Sequence, residues 1–324
     1  MKNIIYIILI SLFLVSCDME TVIDLEIPEQ DNMLVLNGLL DTDTNVQLLI
    51  SHTVGAFSNT IPSFISDAEV ELYKEDELIG IIEPDLTEPT YVYYYDGSWW
   101  GEDSVLMYYY KSEHIPEKGS TYKVKVNHPN YVNVEASTYI PIDVDLYDFN
   151  IDTNFNDNND IQARLTFSFD DIQDQQNYYR LKLFSSCLKE WVDEFGYDEE
   201  WRERGATEMM SNDPSFPGNI FNVFSGYTFT GNKVIFTDAL FNGQSKTITV
   251  DIMSPFKYDD CDTLIIEFST FSDDTYSYYN SLGEHREKGE LGLFGGEVIP
   301  VYSNVVNGMG VLISTNSQKI YIKP

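Results

Sequence analysis

At 324 residues the chain is about twice the usual domain length, which makes two domains the expectation. Its 53 acidic and 19 basic residues give a formal charge of −34, which excludes a nucleic-acid partner and opposes lying flat on anionic lipid. A hydrophobic fraction of 43% excludes whole-chain disorder.

Met1-Lys2-Asn3 precedes an apolar run from Ile4 to Val15, interrupted only by Ser11. One positive charge followed by about a dozen apolar residues is the layout of a secretory signal peptide. A bilayer span needs roughly 20 apolar residues, so a transmembrane anchor is not expected. The run ends in Leu14-Val15-Ser16-Cys17, which resembles the lipobox of bacterial lipoproteins. That resemblance implies removal of residues 1–16, acylation of Cys17 and attachment to a membrane by lipid, since two or three acyl chains anchor stably. Residues 17–31 then read as an acidic stalk.

Alternating strands broken by Asn, Asp, Gly and Pro dominate the remainder of the chain, and predict a mainly β protein of two sandwich-type domains. The first is expected over residues 32–142. Its strands are Met33–Gly38, Gln47–Ser51, Ala68–Tyr73, Thr121–Val126 and Val132–Ala136, with Ala68, Val70 and Leu72, then Tyr122, Val124 and Val126, facing inward. Ala68–Tyr73 with Glu117–Tyr131 resembles the transthyretin-like and carboxypeptidase-regulatory-like β-sandwiches, modules that are usually non-catalytic. Between these strands lies an aromatic hairpin. Tyr91, Tyr93 and Tyr95 share one face of its first strand, Trp99 and Trp100 come after the Asp96-Gly97 turn, and Tyr108-Tyr109-Tyr110 returns. One reading is core plus β-propensity; the other is a partner surface made of Tyr91, Tyr93, Tyr95, Trp99, Trp100 and Tyr109.

Residues 143–160 read as an Asp/Asn-rich linker. Asp152, Asn154, Asn156, Asn158 and Asp160 alternate as in a calcium loop, but Asp157 and Ala163 stand where its Gly and closing Glu belong. No metal is therefore expected, and the scattered His52, His114, His128 and His285 offer no zinc spacing. The second domain, residues 161–324, opens with Ala163–Phe169. It continues through Tyr179–Phe184, Lys233–Phe236, Thr247–Asp251, Thr263–Phe268 and Gly310–Ser314. A helix capped by Ser272 is predicted, and a weaker one within Asp198–Met210. With Cys17 acylated, Cys187 and Cys261 remain as an even pair in an oxidising compartment, either bridged or free.

Several strings resemble the Bacteroidota lipoproteins catalogued as domain of unknown function 4249. They are Val22–Pro28, Leu34–Gly38, Phe169-Asp170-Asp171 leading to Asn177–Leu181, Phe236–Gly243, and Tyr302-Ser303-Asn304 leading to Gly308-Met309-Gly310. The resemblance implies an outer-membrane lipoprotein found beside TonB-dependent barrel proteins, and it implies no catalytic residue. No nucleophile elbow or Walker loop occurs. The expectation is a non-enzymatic accessory or binding subunit without cofactor. Its membrane contact is the lipid anchor and its partner an outer-membrane barrel. The alternatives are a stand-alone glycan- or peptide-binding lipoprotein and a hydrolase.

Overall fold

The structure, a computed structural model, describes residues 31–55, 61–95, 102–153, 161–192, 198–218, 226–253, 261–289 and 299–323. It opens with β1 (Leu34–Asp41), β2 (Gln47–His52), β3 (Glu69–Lys74), β4 (Glu77–Pro84), β5 (Thr90–Tyr95), β6 (Glu102–Met107) and β7 (Tyr110–Lys111). Next come β8 (Thr121–Asn127), β9 (Val134–Tyr139), β10 (Leu146–Asp152), β11 (Ile161–Asp170) and β12 (Tyr178–Val192). The rest comprises β13 (Asp198–Ala206), β14 (Met209–Ser211), β15 (Phe229–Gly231), β16 (Lys233–Thr237), β17 (Ser245–Met253) and β18 (Cys261–Phe271). Helix α1 (Asp273–Gly289) and the long last strand β19 (Met309–Ile322) complete it.

The strands form a twelve-stranded sheet, a five-stranded sheet and the separate hairpin β5–β6. In the large sheet the order is β13-β12-β18-β19-β1-β2-β7-β4-β3-β8-β9, with β16 continuing alongside β12. β10-β11-β17-β14-β15 make the smaller one. The architecture is mainly β and sandwich-like. Each core arises from period-two alternation. Leu34, Leu36 and Leu40 of β1 meet Val70, Leu72, Val124 and Val126 of β3 and β8, because the large sheet folds over on itself. Farther along, Tyr179, Leu181 and Leu183 of β12 and Leu264, Ile266 and Phe268 of β18 pack on Leu165, Phe167, Ile248 and Val250 of the five-stranded sheet.

Three expectations are corrected. The sequence suggests two tandem domains, whereas Asn32–Pro324 is one compact unit holding both cores. The reason is topological: β19 pairs in parallel with β1 and antiparallel with β18, so one continuous sheet serves both. Residues 143–160 are not all linker, because β10 pairs with β11 from Leu146↔Phe169 to Asp152↔Arg164. The weaker helix is a strand. β13 adds to the edge of β12 from Val192↔Asp198 to Phe184↔Ala206, so tertiary pairing overrides helix propensity there. The other helix forms as expected: Thr275 N donates to Ser272 Oγ (3.2 Å), with Asp273 and Asp274 in the first turn.

Cys187 and Cys261 are cross-strand neighbours of β12 and β18 and are joined by a disulfide. The bond closes a loop of 74 residues. Chain entropy values such a closure at about 4 kcal/mol.

Candidate binding surfaces

The sequence-predicted partner residues separate. In β5–β6, Tyr91 pairs with Leu106 and Tyr93 with Ser104. Tyr91 is 58% exposed and Tyr93 70%, and Val92, on the other face, is exposed too. The face of Tyr91, Tyr93 and Leu106 is thus open, while the opposite face is partly covered, with Met107 buried and Val105 half-buried. Tyr95 ends β5 opposite Glu102, while Trp99 and Trp100 lie outside the described residues, as does Cys17. Tyr109 is drawn away from that group. It is half-buried and lines a cavity of about 560 Å³ with Leu39, Leu49 and Tyr278.

Metal chemistry finds no support among the described residues, where no group of three or more ligating side chains gathers. Most of the calcium-like string lies outside them. Each histidine is occupied locally: His114 with the Tyr122 hydroxyl (2.9 Å), His128 with Asp67 (3.1 Å), His52 with Ser63 (2.9 Å) and His285 with the Ile299 carbonyl (2.6 Å).

A second surface was not foreseen. The large sheet has a face turned away from its cores, set by the alternate residues of β12, β18, β19 and β1. Arg180, Lys182, Glu267, Lys319 and Asp41 share it, and α1 lies on it. Tyr276 stacks on Tyr178 at 4.3 Å between centroids and Tyr279 on Phe271 at 5.7 Å. Thr275 Oγ1 donates to the Ser314 carbonyl (2.6 Å). Glu267, only 8% exposed, meets three cations: Lys182 Nζ at 3.2 Å, Arg180 Nη2 at 3.4 Å and Arg204 Nη2 at 3.0 Å. Lys319 stands opposite Glu267 in register and binds Asp43 at 2.7 Å. Burial pushes the Glu267 carboxyl up, but Lys182, Arg204 and Arg180 outweigh it and hold the group below its ordinary value. Burial lowers Arg180 and Lys182 and raises Asp41. In sequence the only signal was Arg180 and Lys182 two residues apart, which marks one face of a strand and reads as ordinary solvent exposure.

The strings that suggested a family meet one another in pairs. Asn37 Oδ1 accepts from Val311 N (3.2 Å), and Asn304 grips Leu312 by both its N–H (2.9 Å) and its carbonyl (2.8 Å). Gly310, with φ +101°, faces the Leu36 carbonyl where no side chain fits, and Gly38 leaves room for Leu48 and Leu312. A family model described as "Domain of unknown function (DUF4249)" matches residues 20–320. The chain belongs to this family. No curated protein matches it. The second DUF4249 pair of strings forms another clasp. Asp171 accepts from the Tyr179 hydroxyl and from Gly243 N (2.7 Å), and Asp238 accepts from Asn177 N (2.9 Å). Burial raises Asp238, and the Asn177 backbone donor pulls it partly back. These two buried carboxylates hold neighbouring turns and strands together.

Proposed function

We propose that this DUF4249 protein is a non-catalytic, lipid-anchored binding subunit of the cell outer membrane. Acylated Cys17 tethers it, and the β5–β6 hairpin docks it on an outer-membrane barrel protein. The observation that carries the reading is the hairpin itself, a two-stranded sheet of its own with Tyr91 and Tyr93 exposed. A large aromatic buries about 150–250 Å², and a standard interface takes about 800 Å² from each side. Two tyrosines thus supply a substantial part of an interface centre. The non-catalytic half of the reading is supported by Asp171 and Asp238, which accept hydrogen bonds from Tyr179, Gly243 and Asn177 and so tie strand to turn.

The test is affinity purification from mildly solubilised envelopes. The unaltered chain is expected to recover a barrel protein. The double change Tyr91→Ser and Tyr93→Ser should lose most of that recovery without shifting the melting temperature, and Cys17→Ala should leave the precursor unacylated. Recovery that survives the tyrosine changes, or a mature N-terminus elsewhere than Cys17, would falsify the corresponding half. Oligosaccharide binding by the solubilised protein with no barrel recovered would favour a glycan-binding lipoprotein instead.

A further inference from the structure

We propose that the cavity between β1, β12, β18, β19 and the first turns of α1 binds a small organic monocarboxylate, with its carboxylate against Arg180, Lys182 and Lys319. The cavity measures about 290 Å³ and has a polar lining. Its charged walls are three cations, Arg180, Lys182 and Lys319, and two acids, Glu267 and Asp41. Counting also Asp43, which pairs with Lys319, and Arg204, which pairs with Glu267, the linked network holds four cations and three acids, so one positive charge is left over in a chain whose net charge is −34.

That excess is costly for the fold. Burying cations in excess of carboxylates contributes little to stability, since desolvation outweighs attraction unless every charge is met. Here Arg180 is not fully met. Its Nη2 reaches Glu267 and Ser269 (3.1 Å), yet its Nε is buried with no hydrogen-bond partner. Burial lowers the values of both Arg180 and Lys182, against the pull of Glu267, so each cation is held here at a desolvation cost. One carboxylate would restore the balance. A phosphate monoester, carrying about −1.5 to −2, would overshoot it and would also be repelled more strongly by the acidic chain as a whole.

The body of the ligand has a place as well. Leu39 lines both this cavity and the neighbouring one of about 560 Å³, where Leu49, Val311, Ile313, Tyr109 and Tyr278 present apolar and aromatic surface. A few convergent polar groups beside such a wall are what a small-molecule site needs. A carboxylate held by the cations would direct a chain or a ring along Leu39 towards the two tyrosines.

Isothermal titration of the solubilised full-length lipoprotein tests this. The probes are phenylacetate and glucuronate, each against its uncharged counterpart, phenylacetamide or glucose, with inorganic phosphate as a fifth. At least one carboxylate should bind about tenfold or more tightly than its counterpart, as expected for a charge-assisted contact. Lys182→Gln and Lys319→Gln should each weaken it by about five- to tenfold at a temperature where both variants remain folded, while Lys125→Gln, a substitution outside the cavity, should not. The proposal is overturned if neither carboxylate binds, if phosphate binds more tightly than both, or if Lys125→Gln weakens binding as much as Lys319→Gln. Loss here with barrel recovery intact would leave the docking role of the hairpin standing.

Discussion

The two cores of this protein solve the same problem with different residues. Around β1, β2, β3 and β8 the buried set is aliphatic, with Tyr110 and Tyr122 its only buried aromatics among the described residues. Both tyrosine hydroxyls are satisfied, Tyr110 by the Ile65 carbonyl (2.9 Å) and Tyr122 by Glu117 N (2.9 Å). Around β11, β12, β17 and β18 the buried set is instead built on phenylalanine: Phe167, Phe169, Phe236, Phe241 and Phe268 stand in edge and tilted contacts with Tyr179 or with one another. Where one sheet folds over on itself, β-branched and leucine side chains fill the space between its halves. Where two sheets stack, about 10 Å must be spanned, and rings reach across it. A shared strand, β19, makes the two cores one cooperative object.

The largest effect should come from the aromatic side. Phe268 is fully buried and touches Phe167, Phe169, Tyr179 and Phe236. Phe268→Ala should cost about 3–5 kcal/mol, and Leu36→Ala on the aliphatic side about 2–5 kcal/mol. Urea titration measures both. Each substitution should move a single transition; a variant that melts in two steps would break the unity of the cores.

A smaller effect aims at the join. A side chain at Gly310 would overlap the Leu36 carbonyl, and φ +101° is strained for any L-residue. Gly310→Ala should therefore cost about 2–4 kcal/mol. Amide hydrogen exchange should accelerate in β2 and in β18 together. Acceleration confined to one of them would show that β19 does not couple the cores.

Much of this was legible from alternation alone. Tyr122-Lys123-Val124-Lys125-Val126 and Leu165-Thr166-Phe167-Ser168-Phe169 show which face is buried, because the pleat forces it. The Ser272 cap was equally readable. What failed was non-local. No local pattern says that Met309–Ile322 returns to lie between β18 and β1, so two cores read as two domains. Residues 198–204 carry helix-favouring charges, yet Arg202 pairs with Asp262 and Arg204 with Glu267 in a strand. The charged face escaped notice for the same reason, since Arg180, Arg204, Glu267 and Lys319 converge only once the strand order is known. Of the aromatic hairpin, Tyr91 and Tyr93 were readable as a surface, whereas Tyr109 belongs to a cavity wall.

The smallest effect separates the cores by pH. Asp251, 4% exposed at the back of the five-stranded sheet, takes Arg164 Nε (2.6 Å), Arg164 Nη2 (2.9 Å) and the Tyr227 hydroxyl (2.7 Å). Burial alone would raise its carboxyl, but the Arg164 and Tyr227 donors and the Arg164 charge hold it below the ordinary value. A carboxyl lowered in the folded state stabilises above its unfolded value, and that contribution is lost as pH falls towards the folded one. On the aliphatic side the sign reverses at Asp41, which burial raises, so its ionisation opposes folding at neutral pH. Asp251→Asn should therefore destabilise by about 1–3 kcal/mol at pH 7, and the gap to the unaltered protein should narrow steadily as pH drops through the ordinary carboxylate range. Asp41→Asn should do the opposite, stabilising at neutral pH and converging with the unaltered protein on acidification. Thermal melts from pH 7 to pH 3 measure both. A gap at Asp251→Asn that stays constant with pH would mean its loss is one of packing and not of ionisation.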